Sequence, residues 1–276
     1  MLEQESVILS PLGKETTYTC EYQRDLLFPI SRKSKRDEIH VPDRLPFKGV
    51  DLWNAYELSW LNTKGKPAVA LGEFILPCES PNIIESKSLK LYLNSFTNTI
   101  FDSIENVRNI IQSDLSEFAC ADVQVKIISI EQFTENRIQS FNGFCLDTLD
   151  VECNQYVVET DFLQTENTIV SETVYSNLLK SNCLVTGQPD WGSVQIQYKG
   201  KKIQHEGLLK YLVSFRNHNE FHEQCVERIF MDIMQKCQPE QLTVYARYTR
   251  RGGLDINPFR STEKGFPDEV ARQCRQ

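Results

Sequence analysis

The chain, 276 residues long, is informative first for what it lacks. No apolar run approaches the roughly eighteen residues that mark a membrane-spanning helix, which excludes a helical membrane protein. The start, MLEQESVILSPLGKETTY, has neither the basic opening nor the apolar block of a signal peptide. Basic charge is not in excess: 30 Lys and Arg stand against 38 Asp and Glu, a net charge of -8. That balance argues against a whole nucleic acid as partner, because neutralising phosphates needs a basic face. The cysteines, nine in all, form no CxxC pair, so a disulfide framework or a zinc knuckle is not expected. No GxGxxG occurs either, which excludes the Rossmann dinucleotide fingerprint. What remains is an ordinary composition, 40% hydrophobic and 25% charged. It fits a cytoplasmic enzyme or binding protein with reduced thiols and core enough for one large domain or two.

Internal similarity is the strongest positive signal. Residues 84–96, IESKSLKLYLNSF, align without gaps to 203–215, IQHEGLLKYLVSF, with Ile, Leu, Tyr, Leu, Ser and Phe coinciding. Each segment leads into an amphipathic helix, through Ile104, Val107 and Ile111 or through Val226, Ile229 and Ile233. Each helix leads into an alternating strand, DVQVKIISI (122–130) or QLTVYARYT (241–249), and the strands AVALGEFIL (68–76) and SVQIQY (193–198) come before. The expected fold class is α+β, antiparallel sheets with helices on one face, used twice. Module boundaries are expected at 1–145 and 146–276. Aligning the apolar positions of the second helices predicts three extra residues in the second copy, within RNHNEFHEQ (216–224).

Four stretches carry candidate chemistry. SNCLVTGQPDWGSV (181–194) sets Cys183 before a turn and Asp190 after it. A thiol at the mouth of a strand can ionise, and an acid returning across the turn can donate a proton to the same reacting atom. The same letters also read as a plain β-turn beside a buried cysteine. NHNEFHEQC offers His218, His222 and Cys225 to a metal, but zinc needs three or four ligands and one helical turn supplies too few. Alternatively His222 and Glu223 hold a guanine-like edge, or they are simply a helix start. ESKSLK (85–90), with Glu85, Lys87 and Lys90, reads either as a solvated charged edge or as two lysines suited to phosphates, and TRRGG (249–253) places Arg251 beside glycines that suit the same contacts. SRKSKRDEIH (31–40) reads as a solvated loop.

ESKSLKLY (85–92) resembles the motif of the QueF family, the NADPH-dependent 7-cyano-7-deazaguanine reductases. CLVTGQPDW, GVDLWNAYELSWLNTKGKP (49–67), FHEQCVERIF and YTRRGGLDINPFR resemble further parts of its long form, so the similarity spans about residues 30 to 265. The resemblance implies tandem tunnelling-fold modules related in fold to GTP cyclohydrolase I, a homodimer, and reduction of a nitrile to an amine in queuosine biosynthesis, a tRNA-modification route. It implies NADPH, two per turnover, and no metal. By position Cys183 is the nucleophile and Asp190 the proton donor. Ile84, Glu85, Ser86, His222 and Glu223 hold the deazapurine, and Ser86, Lys87, Arg251 and Gly252 contact NADPH. The rivals are a zinc-dependent pterin or purine hydrolase of the same fold, using His218, His222 and Cys225, and a non-catalytic purine-binding module.

Overall fold

Alternating apolar residues between Asn, Gly and Pro turns build two compact units, seen here in a computed structural model that describes residues 18–133, 138–270 and 272–276. The opening stretch read for a signal peptide lies almost wholly outside the described residues. The first unit takes residues up to Asp37, then Asp51–Arg137 and Arg250–Asp255. Its elements are β1 (Pro29–Ser31), α1 (Arg32–Asp37), most of β2 (Lys48–Leu61), β3 (Pro67–Pro77), β4 (Asn82–Ile84), α2 (Ser86–Asn94), α3 (Ile104–Ala119), β5 (Gln124–Ser129) and the single turn α4 (Ile130–Phe133). Strand β3 lies between β2 and β5 and pairs antiparallel with β5 from Ala70↔Ser129 to Ile75↔Gln124. The Asn62 side chain closes the β2–β3 turn by accepting from the N–H groups of Lys64 and Lys66. Helix α3 starts where the Ser103 hydroxyl accepts from the Asn106 N–H, and it stops at left-handed Cys120. Between those caps Val107, Ile111, Leu115 and Ala119 recur at helical spacing and are buried.

SRKSKRDEIH is not the solvated loop expected of it. Residues Arg32–Asp37 form a short helix, and Arg32 is buried. Its guanidinium meets Asp51 at 2.5 Å and Ser80 at 3.1 Å. A charge run hides such a residue, because one arginine with a buried carboxylate partner looks like its solvated neighbours.

The second unit takes Glu38–Val50, Ile138–Thr249 and Ile256–Gln276. It holds β6 (Phe144–Cys145), β7 (Thr165–Ser176), β8 (Lys180–Asn182), β9 (Pro189–Ile203), α5 (His205–Ser214), α6 (His222–Cys237), β10 (Gln241–Tyr248) and most of β11 (Leu254–Ser261). The strand order is β11-β10-β9-β7-β6, with β8 on β9. All these pairs are antiparallel except β6 with β7. Arg260, fully buried, is held by Glu227 at 2.8 and 3.0 Å and by the Val50 and Phe259 carbonyls. Both units are therefore α+β and dominated by antiparallel pairing, as the periodicity predicts.

The duplication extends to single hydrogen bonds. In the first unit the Tyr92 hydroxyl donates to Asp114 at 2.6 Å; in the second, Tyr211 donates to Asp232 at 2.6 Å. Ser95 and Ser214 each donate to the carbonyl of that tyrosine, and Phe96 and Phe215 each pack edge-on against it. The second helices, however, run from Ile104 and from His222, and each has 16 residues. Each ends in a left-handed residue, Cys120 or Gln238. On this register the second copy carries no three-residue insertion; its connection between helices is shorter. The misalignment was by one turn, because an apolar stripe with a period of about 3.6 residues almost repeats after four. Among the described residues no helix is long and apolar enough to cross a membrane.

Candidate active site

The second unit gathers Cys183, Asp190, His222 and Glu223. Cys183 is half-buried and begins the loop between β8 and β9. Its N–H donates to the Gln188 carbonyl at 2.8 Å, and its carbonyl accepts from the Gly187 N–H at 3.1 Å. Gly187 has φ +65, the left-handed turn position that glycine takes without strain. The turn thus closes on Cys183 itself. Asp190 follows on β9, opposite Ser181 of β8, and is only 3% exposed. Its carboxylate lies 3.4 Å from Nε2 of His222, the first residue of α6. The His222 ring stacks flat on Tyr248, 3.9 Å between centroids and 2° between planes. Glu223, in the first turn of α6, is buried.

A zipper that the sequence does not announce holds this corner in place. The Asn182 N–H donates to the His218 carbonyl at 2.8 Å, and the Glu220 N–H donates to the Asn182 carbonyl at 3.1 Å. Lys180 spans the same seam, giving hydrogen bonds of 2.6 Å to the Asn182 side chain and to the Arg216 carbonyl. Burial lowers the Lys180 pKa, Arg216 lowers it further, and Asp190 opposes both. Lys180 and Tyr248 are the residues missed by reading motifs. Their partners Arg216 and His222 lie tens of residues away, so no local spacing marks them.

The ligands of the zinc rival do not converge. His218 Nε2 sits 3.0 Å from Glu220, and His222 faces Asp190. Cys225 is buried, and burial pushes its thiol well above the ordinary range. No group of three or more His, Cys, Asp and Glu side chains able to hold a metal occurs among the described residues.

The first unit holds the other set. Glu85 caps α2: its carboxylate accepts from the N–H groups of Lys87 at 2.7 Å and Ser88 at 2.8 Å. Burial raises its pKa, while those N–H groups and the ammonium groups of Lys90 and Lys87 lower it. Ile84 is buried at the end of β4 and Ser86 opens the helix. Arg251 and Leu254 close a two-residue turn around Gly252 (φ +58) and Gly253 (φ +79), a geometry that requires both central residues left-handed. A Cβ on Gly252 would come 3.1 Å from the Lys90 side chain, so the turn packs on α2. Lys87 and Arg251, far apart in the chain, thus belong to one compact unit. The cations and the bare Gly252 backbone fit a phosphate-bearing molecule such as NADPH.

The family comparisons agree with the motifs. A model described as "Nitrile reductase, 7-cyano-7-deazaguanine-reductase N-term" matches residues 18–127, and one for QueF-like proteins matches 189–266. The chain is 59% identical to the NADPH-dependent 7-cyano-7-deazaguanine reductase of Legionella pneumophila (strain Lens), over 97% of this chain and 95% of that protein. The chain belongs to the QueF family. The reductase of the same name from Cupriavidus necator is 57% identical over 97% of this chain and 98% of its own length. A solved structure, the archaeosine synthase QueF-Like in the apo form, aligns at 16% identity with a TM-score of 0.30, over 36% of this chain and 96% of that one. Within the QueF family, then, the CLVTGQPDW turn and the ESKSLKLY helix start are the two stretches on which chemistry is to be assigned.

Proposed function

We propose that this chain is an NADPH-dependent nitrile reductase that converts 7-cyano-7-deazaguanine to 7-aminomethyl-7-deazaguanine through a covalent thioimide, within queuosine biosynthesis. The observation that carries this reading is the Cys183 turn closing beside the buried Asp190–His222 pair. The names and high identity of the relatives support the substrate and the cofactor.

A nitrile carbon is a modest electrophile, so it needs activation before it accepts hydride. The Cys183 sulfur adds to that carbon, forming a C–S bond and breaking one C–N π bond. The Asp190 carboxyl protonates the nitrogen and then takes up the thiol's proton, which returns the pair to its starting state. His222 fixes the carboxyl from the other side. NADPH, bound twice in succession, supplies the two hydrides. After the first reduction the C–S bond breaks, the thiolate leaves and an imine remains; the second reduction gives the amine. One nitrile, two NADPH and two protons become one amine and two NADP+. Water would hydrolyse the imine, so the site must stay closed between the reductions.

Glu223 and His222 on the second unit, with Ile84, Glu85 and Ser86 on the first, are assigned to the deazapurine. Ser86, Lys87, Arg251 and Gly252 are assigned to NADPH. The reading further takes residues 1–145 and 146–276 as the duplicated modules, a homodimer as the working form, and the cytoplasm as its place. The test is NADPH consumption with and without the nitrile, together with intact mass spectrometry without NADPH. One substrate per chain should add to the native protein and none to Cys183→Ala, which should also lose turnover. An adduct persisting in Cys183→Ala would move the nucleophile elsewhere.

A further inference from the structure

Tyr248, the platform under His222, sits where its own strand ladder gives out. Strand β10 pairs with β11 at Thr243↔Ser261, Val244↔Arg260 and Tyr245↔Phe259. The next residue of β11 is Pro258, which has no N–H to donate. On that side Tyr248 is held by side-chain amides instead. Its N–H donates to Asn257 Oδ1 at 3.2 Å, and its carbonyl accepts from Gln276 Nε2 at 3.1 Å. The Gln276 amide is buried, and all four of its hydrogen-bonding positions are used. Nε2 also donates to Asn257 Oδ1 at 2.8 Å, while Oε1 accepts from Arg247 Nε at 2.8 Å and from the Gln273 N–H at 3.0 Å. From β9, Gly192 lies opposite Tyr248, and a Cβ there would come within 3.1 to 3.2 Å of its ring. The ring therefore has little room to settle anywhere else.

The His222 ring has no comparable anchor of its own. Its Nδ1 is buried without a hydrogen-bond partner, and its Nε2 faces Asp190 at 3.4 Å. The flat stack on Tyr248 is what sets the plane of the imidazole. We infer that Gln276 is a positioning residue for the reaction: its amide holds the Tyr248 carbonyl beyond the last paired residues of β10 and β11, and through that ring aims His222 at Asp190. This rests on the catalytic reading of Cys183 and Asp190.

Gln276→Glu keeps the shape and both acceptor contacts but turns the two donations, to Tyr248 and Asn257, into oxygen facing oxygen. The protein has four histidines, so with 13C-labelled histidine the His222 signal can be assigned by comparison with His222→Gln. In the native protein the stacked Tyr248 ring should shift that signal upfield, and in Gln276→Glu the shift should shrink. Thioimide formation should slow by roughly tenfold to a hundredfold, the scale on which small misplacements act, with substrate affinity little changed. In a Tyr248→Leu background the same substitution should slow the reaction no further. Gln276→Met, of the same length but without the amide, repeats the comparison if Gln276→Glu does not fold. An unmoved His222 signal overturns the inference, as does an unchanged rate of adduct formation or a loss additive to that of Tyr248→Leu. Should the native protein form no adduct, the nitrile-reductase reading fails on its own terms. The His222 signal then still decides whether Gln276 positions that ring.

Discussion

Asp190 is a carboxylate almost closed off from water, with a histidine at 3.4 Å and a thiol-bearing turn ending two residues before it. Its proposed task needs a proton as well as a shape, so the isosteric change is the sharp test. Asp190→Asn should lower turnover by about 10²–10⁴-fold, the usual range for a lost general acid, while the deazapurine still binds. Single-turnover rates and a binding titration separate the two effects, and a rate equal to native would remove Asp190 from the chemistry. The thiol and the acid were legible as a pair in CLVTGQPDW, because a Gly-Gln-Pro turn brings its flanks together. Their supports were not. Lys180, Tyr248 and Gln276 act through contacts that only the folded chain creates.

Helix α2 shows how one element can serve stability and, on the proposed reading, a ligand at once. The Glu85 carboxylate caps it, and burial raises that carboxyl above its ordinary 4.5. An acid whose folded pKa is raised contributes fully below its unfolded value and loses that contribution as pH rises through the folded one. The Glu85 contribution to stability should therefore fall as pH climbs above 4.5, and Glu85→Gln should remove that part of the pH dependence. Urea midpoints measured at stepped pH check it; a slope unchanged in the variant would place the decline elsewhere. The Arg251–Gly252–Gly253–Leu254 turn bears on the other proposed ligand. Charge-assisted phosphate bonds contribute about 1.5–3 kcal/mol each, so Arg251→Ala and Lys87→Ala should each raise the NADPH requirement roughly ten- to a hundredfold. The effect should be larger at low salt, with thioimide formation intact; normal NADPH binding in both variants would put the phosphate contacts elsewhere. At this scale the sequence was a good guide to element type and order, since periods of two and of about 3.6 residues survive any context. It misled where the period repeats itself, at the start of α6, and where one buried arginine hid in a charged run, at α1.

Across the whole molecule the buried tyrosines set a common limit. Burial raises the hydroxyls of Tyr92, Tyr198, Tyr211 and Tyr248 above their ordinary 10.0, and neighbouring carboxylates or the Cys225 thiol raise them further. The unfolded chain releases these protons near 10.0 and the folded chain does not, so stability is full below that pH and falls steeply above it. The tyrosinate absorbance of these buried residues should therefore appear only together with the loss of circular dichroism; ionisation of all ten tyrosines with the fold intact would contradict this. The exchange of segments between the units has a consequence of another kind. Residues 38–50 belong to the second unit, and Arg250–Asp255 belong to the first. On a ribosome adding about 5–20 residues each second, the first unit waits on the order of ten seconds between Arg137 and the arrival of the hairpin that completes it. Through that interval residues 38–50 also wait for the rest of the unit they belong to, most of it not yet made. The nascent chain cannot finish one unit before starting the next; both can close only after Arg250–Asp255 have been made, almost together.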